Sequence, residues 1–130
     1  MTDLAWGKAI KERDVEVRTL EHYCAEQGIG YIDVLKIDAE GFDFEVVKGA
    51  GALLRDGKIK LIYMEILFND IYADITPFDV IFRSLLDLDY RLVSIYRVVQ
   101  RKNIALCSEA LFMHMKTEPH VPQSTPHGPQ

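Results

Sequence analysis

Along this chain, short runs rich in β-branched residues alternate with stretches whose apolar positions recur three and four residues apart. Val15 and Val17 flank Glu16 in a brief period-2 run that reads as strand-like. Thr19 is placed to cap a helix whose apolar face is Leu20, Tyr23 and Cys24, and Gly28 and Gly30 end it. Residues 31–37, YIDVLKI, form a mostly buried strand that stops at the acidic turn Asp38-Ala39-Glu40-Gly41. Phe42, Val46 and Ala50, with Val47 and Leu54 beside them, repeat at helical spacing, and Gly49 and Gly51 weaken the end of that helix. Residues 59–66, IKLIYMEI, supply a second buried strand. A further helix has the clearest start signal: Thr76 as N-cap, Pro77 at the first helical position and Asp79 in the capping-box position. Its apolar stripe is Phe78, Ile81, Phe82, Leu85 and Leu86. Residues 91–99 and 110–115 read as two last strands, separated by the polar connection 100–103.

After an initial helix the order is strand, helix, strand, helix, strand, strand. That alternation predicts an α/β sheet whose first two strands, 31–37 and 59–66, are parallel neighbours with the helix of 42–50 crossing between them. The two final strands follow each other with no helix and are expected to pair antiparallel at one side of the sheet.

Composition bounds what such a sheet can do. The 130 residues suffice for one domain, and area scaling gives roughly 7,000 Å² of folded against roughly 21,600 Å² of unfolded surface for this mass, enough for a real core. With 15 Lys+Arg against 20 Asp+Glu the net charge is −5 and the pI about 5.3, which argues against a nucleic-acid backbone as partner. The longest apolar runs are broken by charge and fall short of the ~20 residues a membrane span needs, so no membrane association is expected. Met1 is followed by no basic region or long apolar stretch, so no secretory signal is readable and a cytoplasmic setting is expected. Cys24 and Cys107 then read as reduced, small hydrophobic residues. Residues 117–130 hold four of the five prolines and a single large aliphatic residue, and read as a disordered Pro/His tail. The folded domain is placed at 15–116, behind a lead segment at 1–14.

In open α/β sheets ligands sit beyond the carboxyl ends of the strands. Asp38 and Glu40 follow the first buried strand and Glu65 ends the second, so parallel neighbours would bring three carboxylates to one edge. Crowded carboxylates raise one another's pKa unless a cation or a donor neutralises them. They are candidates for a base, a cation site or the binding of a cationic ligand. The structural alternative is that Glu40 is a first-turn residue of the following helix and Asp38 its cap. Asn69 and Asp70 lie in the loop after the second strand and are candidate substrate-binding residues. Lys36, His22 and His114 read as strand-edge, exposed and structural side chains respectively. A phosphate-cradling Gly-rich loop, a paired-Cys metal signature and a serine elbow are all missing, and no metal is expected.

The stretch TLEHYCAEQGIGYIDVLKIDAEGFDFEVVKGAGALL resembles the signature of the FkbM family of S-adenosylmethionine-dependent methyltransferases. In that family a Thr-Leu-Asp helix precedes an Asp-x-Leu-Lys-Ile-Asp-x-Glu-Gly strand and turn, followed by a helix ending Lys-Gly-Ala. The resemblance continues through residues 59–65, Leu88-Asp89-Tyr90-Arg91-Leu92 and Glu109-Ala110-Leu111-Phe112, and so covers 15–116. Glu21 stands where the family pattern has Asp, and Asp89 where it often has Gly. The resemblance implies a Rossmann-like sheet and S-adenosylmethionine as cofactor. It implies a small-molecule acceptor, such as a sugar hydroxyl, approached by Asp38 as the acceptor-side base, with Glu40 and Glu65 positioning it or the substrate. It also implies a Gly-rich turn and an acidic ribose anchor on earlier strands, and neither is found in residues 1–14. The chain therefore reads as the carboxyl half of the domain, with its cofactor pocket incomplete, cofactor-binding residues unassigned, and a sheet edge open to self-association or a partner chain. The contrasting expectation is a non-catalytic α/β interaction or regulatory module derived from a methyltransferase.

Overall fold

The computed structural model describes residues 11–69 and 75–116. Within them the chain runs α1 (Leu20–Gln27), β1 (Ile32–Ile37), α2 (Asp43–Gly49), α3 (Gly51–Arg55), β2 (Ile59–Leu67), α4 (Phe78–Asp87), β3 (Tyr90–Arg101) and β4 (Ile104–His114). The four strands make one mixed sheet in the order β1-β2-β4-β3. β1 and β2 are parallel, in register from Ile32 opposite Ile59 to Ile37 opposite Met64, and α2 and α3 cross between them as the strand spacing predicts. β3 and β4 form the expected antiparallel hairpin. The last strand, however, is inserted beside β2, and β3 takes the sheet edge.

Several elements follow from local chemistry. The Thr19 hydroxyl accepts from the His22 amide at 3.1 Å, and Gly28 closes α1 at φ 67°, the left-handed cap conformation that costs glycine nothing. At the α2–α3 break, the Glu21 carboxylate reaches over to accept from the Ala52 amide at 2.9 Å, satisfying a donor at the start of α3. A Cβ at Gly51, where φ is +31°, would collide with Glu21 Oε2. Asp89 has φ 63° and its carboxylate pairs with the Lys116 ammonium at 2.5 Å. A left-handed position of this kind suits glycine, and aspartate is among the few other residues that tolerate it.

Three local expectations are corrected. Residues 11–19 form no strand, and Val15 and Val17 are exposed, because no strand among the described residues pairs their backbone. The start of α4 lies one residue later than read: Pro77, extended at ψ 146°, is its N-cap, and no side chain caps it. Pro77 restricts Thr76 to extended backbone, while the Pro77 carbonyl itself accepts from the Val80 and Ile81 amides at 3.1 and 3.2 Å. β4 starts at Ile104, not 110, because Lys102 and Asn103, at φ 51° and 63°, close a two-residue hairpin loop that keeps the strands paired to their tips.

One face of the sheet packs against α2, α3 and α4. Ile37, Ile62, Met64, Ile66, Ala110 and Phe112 from the strands meet Val47, Leu54, Ile81 and Leu85 from the helices in a single buried cluster. Tyr90 is wholly buried there, its hydroxyl donating to the Ile59 carbonyl at 2.6 Å and its ring edge-on to His114 at 4.9 Å. The other face carries Val34, Tyr63, Glu65, Glu109 and Met113, and it is far more exposed. Among the described residues no helix is long and apolar enough to cross a membrane.

Candidate functional site

The carboxyl ends of β1 and β2 lie side by side, as the parallel register requires, and acidic residues collect there. Asp38 is exposed and its carboxylate lies 3.5 Å from the Lys36 ammonium, itself an exposed side chain at the open edge. Glu40, at φ 48°, and Gly41, at φ 95°, make the sharp turn out of β1, and the Glu40 side chain is exposed. Glu65 is half-buried. Its carboxyl is pushed above the ordinary glutamate range by burial first, then by the negative charges of Asp43, Glu40 and Asp38, against which the Cys107 thiol donates a hydrogen bond. Of the three carboxylates expected together, Glu65 thus feels the charges of both Asp38 and Glu40. No group of three His, Cys, Asp or Glu among the described residues is arranged to hold a metal ion.

A fourth carboxylate was missed from the sequence. Asp43 is 5 % exposed, and it accepts from the Ala39 amide at 3.4 Å and the Gly41 amide at 3.3 Å. Asp43, not Asp38, therefore satisfies the turn at the head of α2, and Glu40 lies before that helix, not in its first turn. Burial pushes the Asp43 carboxyl up, only partly opposed by its hydrogen bonds to the turn. Asp43 and Glu65 line one narrow crevice with Gly41, Leu67, Thr76 and Ile81. The available signal was an acidic residue two positions after the glycine of a strand-to-helix turn, where a short carboxylate bends back to backbone amides.

Of the loop candidates, the Asn69 amide donates to the Ala105 carbonyl, tying the end of β2 to the start of β4, and Asp70 lies outside the described residues. His22 is exposed beside Glu26, 3.4 Å away, and His114 is buried against Tyr90, with burial lowering its pKa. Both cysteines are free, Cys24 buried and Cys107 partly so.

A sheet with a parallel pair and a right-sized crossover puts its gathered carboxylates where open α/β sheets bind their ligands. The family model for the Methyltransferase FkbM domain matches residues 2–92, and the chain belongs to that family. The matched span reaches the start of β3 and leaves the rest of the hairpin beyond it. The chain is also similar to the 2-O-methyltransferase NoeI of Sinorhizobium fredii (strain NBRC 101917 / NGR234), with 28 % identity over 88 residues. Those residues are 68 % of this chain and 34 % of that protein, so the chain spans about a third of its relative's length. No solved structure matches the chain.

Proposed function

We propose that this chain carries the acceptor side of an S-adenosylmethionine-dependent O-methyltransferase of the FkbM type, acting on a hydroxyl of a sugar or other small metabolite. The observation that carries the reading is the gathering of Asp38, Glu40, Asp43 and Glu65 at the carboxyl edge of a parallel pair, in a chain of this family. Transfer to a hydroxyl needs a base close to the acceptor and an in-line approach to the sulfonium. Burial raises the proton affinity of Glu65 above that of an ordinary glutamate and suits it to accept the proton, while Asp38, exposed beside Lys36, orients the hydroxyl with Glu40. Asn69 and Asp70, which follow β2 in sequence, stay candidates for contact with the remainder of the substrate, Asn69 through its amide oxygen, since its NH2 group donates to the Ala105 carbonyl.

The cofactor fits less well. Among the described residues no strand ends in a Gly-rich turn, and the buried Asp43 carboxylate, which could serve ribose hydroxyls, is committed to the Ala39 and Gly41 amides. No step is therefore assigned to a nucleoside pocket within these residues. The strand order and the outer edge of β1, with no strand beside it among the described residues, support a Rossmann-like sheet of which 15–116 is the carboxyl half. That edge is where a half-sheet carrying the cofactor anchors would pair, from a partner chain. Two free cysteines agree with a cytoplasmic setting.

The test is transfer of radiolabelled methyl from S-adenosylmethionine to a panel of monosaccharides, by the chain alone and by the chain mixed with a polypeptide carrying the family's first half-sheet. Transfer is expected on mixing, with Glu65→Gln slowing it about 10²-fold or more. Calorimetry should show weak or no cofactor binding by the chain alone. Unaided transfer would overturn the placement of the cofactor, and no transfer on mixing would favour the non-catalytic interaction module.

A further inference from the structure

Beyond the carboxyl edge, the exposed face of the hairpin holds a second cavity. It measures about 190 Å³ and is lined by Glu65 of β2, Arg97 and Val99 of β3, and Cys107, Ser108 and Glu109 of β4. Glu65 thus stands in the wall of both this cavity and the crevice it forms with Asp43. The register sets Glu65 directly opposite Glu109, and Glu109 directly opposite Tyr96, so the three form one row across the sheet.

A bulge follows the row on β3. Register shifts between Tyr96 and Val99 and between Val99 and Gln100, and Arg97 sits at φ 48°, a conformation an arginine adopts at a cost. The bulge places the guanidinium where its charge is felt at the Tyr63 hydroxyl, which in turn donates to Glu109. Arg97 makes no ion pair with any described residue.

This lining selects a ligand class. Two facing carboxylates repel an anion, and the arginine repels a cation. A neutral molecule that both donates and accepts satisfies both, and Arg97 offers a planar fork of donors beside the acceptors of Glu65 and Glu109. Tyr96, 41 % exposed and tilted against Tyr63 at 6.2 Å, adds an aromatic surface for the apolar face of a ring. We propose that this cavity is a sugar-ring subsite in which Arg97 and Glu109 hold neighbouring hydroxyls, so that the hydroxyl to be methylated is delivered toward Glu65. The proposal rests on the reading of Glu65 as an acceptor-side residue, and it assigns Arg97 as a substrate-binding residue that sets specificity.

Cys107 provides a readout that needs no methyl donor. It lines the cavity, whereas Cys24 is 2 % exposed, so alkylation of the two by iodoacetamide separates by peptide mass. The probes are the methyl glycosides of glucose, galactose and mannose at millimolar concentration, with inorganic phosphate as the anion control. At least one glycoside is expected to slow Cys107 alkylation severalfold, and phosphate is not. Arg97→Gly removes the guanidinium at a backbone position glycine accepts, and should weaken protection about tenfold, the loss of one charge-assisted hydrogen bond. Protection is read as the ratio of each variant's own alkylation rates with and without sugar, and Arg97→Lys should restore part of it. No protection by any glycoside, equal protection by phosphate, or full protection in Arg97→Gly would overturn the subsite. Protection without methyl transfer on mixing would sink the enzymatic reading and leave the subsite standing, so the two fail separately.

Discussion

The two faces of the sheet are built from the same strands, residue by residue in alternation, yet they answer to different physics. On β2, Ile62, Met64 and Ile66 point into the helix-covered cluster with no exposed surface, while Leu61, Tyr63 and Glu65 between them are only partly covered. On β4, Ala110 and Phe112 are buried and Met113 is 36 % exposed. The covered face holds the fold together through close packing. The open face holds Tyr63, Glu65 and Glu109, and its geometry is set by hydrogen bonds such as Tyr63 to Glu109 and by the bulge at Arg97. A domain that keeps its chemistry off its core can vary the chemistry without unfolding.

The largest effect that would break this contrast is a core truncation. Phe112→Ala, which empties a fully buried position, should cost about 3–5 kcal/mol in urea unfolding, whereas Met113→Gln on the other face should stay within about 0.5 kcal/mol. Equal costs would mean that the exposed face is packed against something in solution. Association comes next. The outer edge of β1, with no strand beside it among the described residues and Val34 55 % exposed, is expected to make the chain dimerise or aggregate in light scattering, and Val34→Lys should reduce it. A monodisperse monomer at high concentration would count against an open edge.

The smallest effect is in pH dependence. The raised pKa of Glu65 means the folded state favours its protonated form, so its contribution to stability is present below the ordinary glutamate pKa and lost as pH rises through the folded-state value. Glu65→Gln, which stays neutral, should gain stability relative to the parent between pH 4 and pH 7 in paired thermal melts. A gain in the opposite direction would mean that Glu65 is stabilised as a carboxylate.

The parallel pair, its crossover and the hairpin were legible because strand runs and helical stripes are written locally in residues such as 31–37, 59–66 and Phe78 to Leu85. The insertion of β4 between β2 and β3 was not, since strand order is decided by which edges are free once the chain folds. Asp38, Glu40 and Glu65 could be placed at one edge from strand ends alone. Asp43 was hidden because its role depends on a bend back to Ala39 and Gly41, and Arg97 because a bulge shifts which residues share a face. Val15 and Val17 show the converse, a pattern with no partner to complete it.

Acceptor binding is assigned to the edge formed by the carboxyl ends of β1 and β2 and the first half of β4. That edge competes with a larger, mostly apolar groove of about 710 Å³ between α1 and α2, lined by Leu20, Tyr23, Phe42 and Val46. Amide chemical-shift mapping of the labelled chain with the same methyl glycosides distinguishes them most directly. Perturbations are expected to concentrate at residues 38–41, 65–69, 96–99 and 105–109. Perturbations confined to 17–23 and 42–49, or none from any glycoside at tens of millimolar, would contradict that assignment.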